Sequence, residues 1–291
     1  MARMAVIGLG SMGYGMAQSL LRAGHEVDGR DVAAARVAQF QGEGGRTLTD
    51  DVLECVVIVV LNAAQTETVI TDLAPRLRKG CVLLSCATVA PEFAKRMEAE
   101  AHAWGLHYLD APISGGAAKA AQGALSIMAA GTPEAVAAAQ EALDAMAETV
   151  FRLGDQAGPG SAMKAVNQLL AGVHIAAMAE AVTFGMTQGV TPAQTVDVIR
   201  HCAGTSWMFE NRGPHIVDGD YSPRSAVNIW PKDLGIVMDI ARDARFSAPL
   251  TAAALQQFLA AAGSGLGAED DAAVAKVYAR NAGLTLPGDG R

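Results

Sequence analysis

Residues 4–13 read MAVIGLGSMG, an apolar run that leads directly into a glycine-rich turn, and this stretch decides the fold. A helical pattern follows over residues 14–23 and stops at Gly24, and a second strand pattern covers residues 25–30. A strand, a glycine turn, a helix and a second strand within about thirty residues form the context that a G-x-G-x-x-G motif needs to bind a dinucleotide. The amino-terminal part of the chain is therefore predicted to bind such a cofactor.

The glycines of this turn have separate physical tasks. Gly8 allows the tight bend, Gly10 lets the backbone approach the pyrophosphate, and Gly13 allows the helix to pack on the strand. The helix N-terminus supplies N–H donors to the anion. An ordinary glycine-rich turn is the alternative, but the strand–turn–helix context favours cofactor binding. The predicted contacts are Gly8, Leu9, Gly10, Ser11, Met12 and Gly13.

The choice of cofactor depends on Arg30 and Asp31, which stand at the end of the second predicted strand. An acid at this place bonds the ribose 2′-hydroxyl and repels a 2′-phosphate, whereas an arginine accepts that phosphate. Both residue types are present. We predict NAD, because the carboxylate at the strand end penalises a phosphate directly, and NADP is the alternative.

Apolar strands and helices continue to alternate as far as about residue 155. Strand patterns cover 56–61, 81–85, 106–109, 126–129 and 149–153, and helical patterns cover 66–78, 91–103 and 133–146. The first of these strands is apolar throughout, which is typical of a parallel strand buried on both faces. Residues 1–160 are therefore predicted to form an α/β domain, a doubly wound Rossmann sheet.

A long helix is predicted to follow the breaker Gly158-Pro159-Gly160. Residues 162–188 contain no proline, and Ser161 is a plausible N-cap. Such a helix would span roughly 40 Å. The later patterns are all helical, at 192–202, 232–242, 249–262 and 269–280, and a loose tail follows from residue 283. Residues 161–291 are thus predicted to form an all-α domain joined to the first by the long helix.

Lys164, Asn167 and Gln168 are spaced i, i+3 and i+4, so they share one face near the start of that helix. A cation in the first turn faces the positive end of the helix dipole, which favours the neutral amine. A neutral lysine in a desolvated place exchanges protons near neutral pH. The alternative is a solvated surface lysine.

Composition limits the classes of function. The 291 residues carry a formal net charge of −8 without a basic block, so neither nucleic acid nor an anionic membrane is an expected partner. The four cysteines are scattered and form no CxxC motif, so we expect no metal site and no disulfide. No uncharged stretch reaches the length of a membrane span, and an apolar strand begins too early for a signal peptide. A cytoplasmic protein is expected.

Four motifs stand in a specific order along nearly the whole chain. They are the glycine turn at 8–13, DAPISGG at 110–116, GSAMKAVNQ at 160–168 and KDLG at 232–235. This ordered set resembles the β-hydroxyacid dehydrogenase family, whose members oxidise or reduce small hydroxy acids with a nicotinamide cofactor. Members are usually dimers or tetramers, so the resemblance implies a homodimer or homotetramer.

The resemblance also implies roles for particular residues. Lys164 matches the family's catalytic lysine, the proton-transfer group. Positions that contact the substrate match Ser114, Gly115, Gly116, Asn167 and Gln168, the first three at its carboxylate. Cofactor-contacting positions outside the glycine turn match Val60, Leu61, Asn62, Thr88 and Lys232. Gln168 departs from the second asparagine that many members carry, and Ala87 replaces a small hydroxyl residue, so the substrate shape is expected to differ.

Two segments, SWMFENR at 206–212 and NQLLAGVH at 167–174, are similar to the branch of this family that acts on L-threonate. The implied reaction is oxidation of L-threonate at its 2-hydroxyl to 2-oxo-tetronate (2-dehydro-L-erythronate). Alternatives are 3-hydroxyisobutyrate, and glycerate with tartronate semialdehyde. Trp207, Phe209 and Arg212 either line the substrate site or are ordinary core and surface residues.

Two further functions fit the same fold. Imine reductases generally lack the lysine that Lys164 supplies, so its presence argues against imine reduction. A non-catalytic nucleotide-binding protein is the other alternative, because fold alone does not establish chemistry. The set of proton-transfer and anion-binding positions favours an enzyme.

Overall fold

The computed structural model describes residues 2–48 and 52–289. Contacts divide the chain into two units, Met1–Lys164 and Ala165–Arg291. The boundary predicted from the sequence follows residue 160 and so lies four residues earlier than this division. One continuous helix, α7 (Pro159–Thr187), contains both positions.

The amino-terminal unit is built on one mixed sheet. Its strands are β1 (Arg3–Ile7), β2 (Glu26–Arg30), β3 (Arg46–Thr47), β4 (Cys55–Ile58), β5 (Val82–Ser85), β6 (His107–Asp110), β7 (Ile113–Ser114), β8 (Leu125–Ala130) and β9 (Ala147–Gly154). The order across the sheet is β3-β2-β1-β4-β5-β6-β8-β7, and β9 pairs with β8. Pairs from β3 to β6 are parallel, and β8 runs antiparallel to β6 and β7. Because β2 and β4 flank β1, the strand order reverses there, where doubly wound sheets bind ligands.

Six helices accompany this sheet. They are α1 (Gly13–Arg22), α2 (Ala34–Gly42), α3 (Ala63–Leu73), α4 (Pro91–Ala103), α5 (Gly116–Gln122) and α6 (Pro133–Met146). Successive residues of a strand point to opposite faces, and β1 shows this directly. Met4 and Val6 belong to one core cluster together with Leu20 of α1, whereas Ala5 and Ile7 belong to another. The sheet is buried on both faces, which confirms the α/β prediction.

The carboxy-terminal unit is helical. After α7 it contains α8 (Pro192–Ile199), α9 (Trp207–Asp218), α10 (Ile229–Asp243), α11 (Pro249–Ala261) and α12 (Ala275–Asn281). Ile175, in the middle of α7, is fully buried in the core of this unit. Trp230 of α10 stacks on Phe258 of α11 with ring centroids 5.4 Å apart. The predicted all-α unit is therefore present.

Several elements differ from the sequence-based expectations. Residues 269–280 form a 3₁₀ turn at Asp271–Val274 before α12 rather than one helix. The tail from residue 283 is not uniformly loose, because Leu286 is buried in the carboxy-terminal core; residues 290 and 291 lie outside the described part. The expected N-cap residue Ser161 lies inside α7, because the helix already begins at Pro159, which is pre-set for a first helical position.

Helix α7 is long and apolar enough to cross a membrane by length and composition, with a mean hydropathy of 1.5 in its most apolar stretch. No such stretch was expected from the sequence, because His174 and Glu180 interrupt or end the apolar run. Of that stretch, 44% is buried inside the protein. A core helix passes the same test, and the burial of Ile175 and Val182 in the carboxy-terminal core supports that interpretation.

Candidate active site

The glycine turn after β1 has the geometry of a phosphate cradle. Gly8 has φ +99°, and a Cβ there would lie 2.2 Å from the carbonyl oxygen of Val59. A Cβ on Gly13 would lie 1.9 Å from the carbonyl oxygen of Gly8, so both positions require glycine. A Cβ on Gly10 would meet no described atom within 4 Å. The turn thus leaves open space beside the amino end of α1, which suits a pyrophosphate.

Asp31 lies against the glycine turn. It follows β2 directly, and its carboxylate accepts hydrogen bonds from the backbone N–H of Leu9 at 2.6 Å and of Ala33 at 2.7 Å. The carboxylate is therefore held against the glycine turn, where it can accept ribose hydroxyls with its remaining lone pairs. The neighbouring Arg30 bonds Asp72 at 2.7 Å instead.

Three other predicted cofactor residues follow β4 and β5, the two strands that come after β1 in the sheet on the side away from β2. Asn62 caps α3, because its Oδ1 accepts from the backbone N–H of Gln65 at 2.9 Å. The side chain of Leu61 is 56% exposed. Thr88 is half-buried between β5 and α4. These residues stand at the carboxyl ends of parallel strands, where doubly wound sheets bind ligands.

Residues 113–116 join a short strand to a helix. Ile113 and Ser114 form β7, in which Ser114 pairs with Ser126 of β8. Gly115 and Gly116 follow with φ +137° and +75° and lead into α5. This backbone brings the hydroxyl of Ser114 and the two glycines into one short segment, as anion binding by the segment requires.

Lys164 lies beside this segment. Its Nζ donates a hydrogen bond to the carbonyl oxygen of Ile113 at 2.9 Å, and the residue is only 8% exposed. The solvated-lysine alternative is therefore excluded. The prediction that Lys164 lies in the first turn of the helix is wrong, because α7 begins at Pro159 and Lys164 is its sixth residue. Burial beside β7, rather than the dipole, sets the surroundings of the amine.

Asp110 anchors the start of α7. It is the first residue of the DAPISGG segment and was not a predicted site residue. Its Oδ2 accepts from the backbone N–H of Gly158 at 2.9 Å and of Ser161 at 2.8 Å, and its Oδ1 accepts from the Ser161 hydroxyl at 2.7 Å. Burial raises the pKa of this carboxyl above its ordinary value, against the opposing effect of these hydrogen bonds. Gly160 permits the close approach, since a Cβ there would lie 2.5 Å from the carbonyl oxygen of Met128.

The carboxy-terminal unit holds a second polar group. Asn167 donates from its amide to Gln168 Oε1 at 2.9 Å, and Gln168 donates to Asp233 Oδ2. Lys232 forms an ion pair with Asp233 Oδ1 at 2.6 Å. Asp233 is only 2% exposed. This buried carboxylate therefore links the predicted substrate amides to the predicted cofactor lysine, a relationship that sequence reasoning missed.

Trp207, Phe209 and Arg212, in the segment after α8, differ in their burial. Phe209 is 3% exposed and belongs to the core, and Arg212 bonds the buried Asp271 at 2.6 Å. Phe209 is thus the core residue that one alternative expected, whereas Arg212 is not the surface residue of that alternative, because its side chain is 11% exposed and paired with Asp271. Trp207 is 59% exposed, so the alternative that placed it in the core is wrong.

Within residues 2–48 and 52–289, no group of three His, Cys, Asp or Glu side chains is placed to hold a metal ion. Three of the four cysteines are buried. Burial raises the pKa of the Cys81 thiol to about 12 and that of Cys86 further still. These thiols stay protonated and unreactive at neutral pH.

Two known protein families match this chain, one in each unit. Residues 3–154 match the NAD-binding domain of 6-phosphogluconate dehydrogenase. Residues 158–278 match the domain described as NAD-binding of NADP-dependent 3-hydroxyisobutyrate dehydrogenase.

Individual relatives agree with these matches. The chain is 47% identical to an L-threonate dehydrogenase of Cupriavidus necator over 97% of both chains. It is 41% identical to an L-threonate dehydrogenase of Escherichia coli, covering 97% of this chain and 96% of that protein. A solved 3-hydroxyisobutyrate dehydrogenase from Salmonella typhimurium is 44% identical with a TM-score of 0.90, covering 95% of this chain and 100% of that one.

The glycine cradle with Asp31, the lysine buried beside the DAPISGG segment and the matches over both units agree with one another. The chain belongs to the β-hydroxyacid dehydrogenase family and is an NAD(P)-dependent oxidoreductase that acts on CH–OH groups.

Proposed function

We propose that this enzyme oxidises the 2-hydroxyl of L-threonate to the 2-oxo acid, 2-dehydro-L-erythronate, with NAD as the oxidant. The observation that carries the proposal is the 2.9 Å hydrogen bond between Lys164 Nζ and the Ile113 carbonyl oxygen, immediately before Ser114-Gly115-Gly116. It places a buried amine beside the segment suited to a carboxylate. The relatives named L-threonate dehydrogenase support the choice of substrate.

The substrate carboxylate binds at Ser114, Gly115 and Gly116. The Ser114 hydroxyl and the backbone N–H groups of the two glycines are donors that suit an anion. A carboxylate held there sets its adjacent carbon within reach of Lys164, so that the 2-hydroxyl and the amine form a hydrogen bond. Holding the two groups in this geometry supplies much of the catalytic effect.

Lys164 in its neutral form takes the proton of the 2-hydroxyl while the C2–H bond breaks. The bound nicotinamide supplies the hydride acceptor. The C2–O bond becomes a carbonyl, and the amine leaves the step as an ammonium group that loses its proton to solvent. In the reductive direction the same ammonium donates that proton to the forming alkoxide.

Asn167 and Gln168 bind the remaining hydroxyls of the substrate. Gln168 Nε2 is bonded to Asp233 and its Oε1 accepts from Asn167, so the orientation of both amides is fixed. Oriented amides discriminate between substrates because a buried polar group left unpaired costs binding energy. The longer glutamine arm, in place of an asparagine, suits the hydroxylated four-carbon acid.

The cofactor preferred is NAD, and the carboxylate of Asp31 is the reason. Held by Leu9 and Ala33, it lies where a 2′-phosphate would bring a second negative charge. The residues expected at the cofactor are those of the glycine turn with Asp31, Leu61, Asn62, Thr88 and Lys232. The ratio of kcat/KM for NAD and NADP tests the preference, and a preference of about tenfold for NADP would overturn it.

The enzyme is proposed to be a cytoplasmic homodimer or homotetramer. Ala177, Glu180, Ala181 and Phe184 of α7 line an open surface depression of about 300 Å³, and the Phe184 side chain is 66% exposed. An exposed, mostly apolar surface of this kind suits a second copy of the chain. Light scattering of the purified protein checks the assembly, and a monomeric mass would contradict it.

The test of the substrate is a panel of C3 and C4 hydroxy acids assayed with NAD by absorbance of the reduced nicotinamide. L-Threonate is expected to have the highest kcat/KM. If the enzyme turns over 3-hydroxyisobutyrate or glycerate but not threonate, that acid would replace threonate as the assigned substrate. Tight NADH binding without turnover of any acid would favour a non-catalytic protein.

A further inference from the structure

A cavity of about 310 Å³ lies beside the end of β2 in the amino-terminal unit. Its lining includes Gly29, Arg30, Asp31 and Arg76. Because Asp31 is the ribose-binding acid, the cavity adjoins the place where NAD carries a 2′-hydroxyl and NADP a 2′-phosphate. Two guanidinium groups at this place would ordinarily favour the phosphate, since arginine suits phosphate geometry.

Both arginines are engaged by one carboxylate instead. Asp72 Oδ2 lies 2.7 Å from Nη1 of Arg30 and 2.9 Å from Nη2 of Arg76. The Arg76 Nε also donates to the Asp72 backbone carbonyl at 3.1 Å. Asp72 is near the end of α3, and Arg76 lies in the 3₁₀ turn that follows, so the local backbone sets this arrangement.

Among the described residues, charges of both signs lie at this end of the cavity. Asp31 and Asp72 contribute two negative charges, and Arg30 and Arg76 contribute two positive ones. The hydrogen bond from Arg30 lowers the pKa of Asp72, so its carboxylate is ionised at neutral pH. A 2′-phosphate entering the site meets guanidinium groups whose charge Asp72 partly compensates, together with the repulsion of Asp31.

We propose that Asp72 is a specificity-determining residue, which favours NAD by holding Arg30 and Arg76 in ion pairs and so denying them to a 2′-phosphate. This inference rests on the assignment of the cofactor site under the proposed function. Asp72 acts through the two arginines and touches neither the nicotinamide nor the hydroxy acid. Removing its carboxylate takes one negative charge away from the guanidinium groups of Arg30 and Arg76.

The test compares Asp72→Ala with the wild-type protein by fluorescence titration of NADH and NADPH at low ionic strength, without a hydroxy acid. We expect NADPH to bind about five- to twentyfold more tightly to Asp72→Ala, with NADH changed by less than about twofold. The gain should shrink in high salt, because charges at the surface are screened. Adding Arg30→Ala to Asp72→Ala should remove most of the gain.

Glu67→Gln is the matched control. Glu67 lies on the same helix, is 43% exposed like Asp72, and pairs with Arg96 rather than with an arginine of the cavity. Glu67→Gln should leave the affinities for NADH and NADPH unchanged. An unchanged NADPH affinity in Asp72→Ala, or equal changes for both nucleotides, would overturn the proposal. Failure of the wild type to bind either nucleotide would overturn the cofactor site as well, whereas cofactor binding without turnover of any hydroxy acid counts only against the substrate.

Discussion

The carboxylate of Asp110 accepts two hydrogen bonds from Ser161, one from its backbone N–H at 2.8 Å and one from its hydroxyl at 2.7 Å. These bonds tie the first turn of α7 to the end of β6. Lys164 follows one turn later on the same helix and bonds Ile113, three residues beyond Asp110. A single buried acid therefore sets the start of the helix from which the proposed catalytic amine projects.

Asp110→Asn is expected to lower kcat about 100-fold, because an amide cannot accept all three hydrogen bonds and the amine shifts from its position. The dissociation constant for NADH should stay within about twofold, which separates a positioning effect from general misfolding. Ser161→Ala removes only the hydroxyl bond and should lower kcat less. An unchanged kcat in Asp110→Asn, or a parallel loss of NADH binding, would argue against this role.

Asp31→Ala is expected to weaken NADH binding about ten- to hundredfold, because the ribose loses a charged acceptor and the glycine turn loses its bond to Leu9. Fluorescence titration with NADH, in the absence of a hydroxy acid, measures the dissociation constant. Asp144→Ala, an exposed acid on α6, is the control and should bind NADH normally. Equal NADH affinities for Asp31→Ala and wild type would contradict the assignment of the ribose site.

Gln168→Asn restores the residue that many family members carry, but its shorter arm cannot reach Asp233 as Gln168 does. We expect kcat/KM for L-threonate to fall about ten- to hundredfold, with NADH binding nearly unchanged. Gln140→Asn is the control, since Gln140 also bonds an aspartate, Asp144, on an exposed face. A Gln168→Asn enzyme with normal threonate kinetics would show that this amide does not select the substrate.

Asp270 should contribute stability that is lost in acid. Burial by itself would raise the pKa of Asp270, but His215 Nδ1 at 2.8 Å and the backbone N–H groups of Arg224 and Ala272 outweigh it and lower that pKa. The contribution is complete above the unfolded pKa of about 3.9 and disappears as pH falls through the lower folded pKa. In thermal unfolding, Asp270→Asn should show a shallower fall of Tm below about pH 4 than wild type.

The control for this measurement is Asp239→Asn, which removes a surface acid of α10 paired with Arg242. Its Tm should follow pH as in the wild type, because exposed ion pairs contribute little. Identical pH dependence in Asp270→Asn and wild type would show that His215 and the backbone donors do not lower the pKa of Asp270.

The local features of the fold could be predicted from the sequence. The glycine turn is one example, because Gly8 and Gly13 are each required by an approach of the backbone that only glycine permits. The fully apolar strands are another, because their burial on both faces leaves no polar alternation. The start of α7 was misplaced, because the Ser161 hydroxyl bonds Asp110, a residue 51 positions away, instead of capping the helix.

Features that depend on tertiary contacts could not be predicted. No helix was predicted over 207–218, yet α9 forms there with Pro214 inside it. Gly213 packs against Val196, since a Cβ at Gly213 would lie 2.8 Å from Val196 Cγ2. The link from Gln168 to Asp233 joins residues 65 positions apart, and nothing in the local sequence indicates it.

The most direct test of the account is kcat of Lys164→Met with L-threonate and NAD, measured beside the NADH dissociation constant. Lys79→Met is the control, because Lys79 is exposed and precedes the amino end of β5, whereas the glycine turn follows the carboxyl end of β1. Loss of the proton-transfer group should lower kcat by about 10²- to 10⁴-fold in Lys164→Met while NADH binding persists. A Lys164→Met enzyme that retains more than about a tenth of wild-type kcat would contradict the central role of this amine.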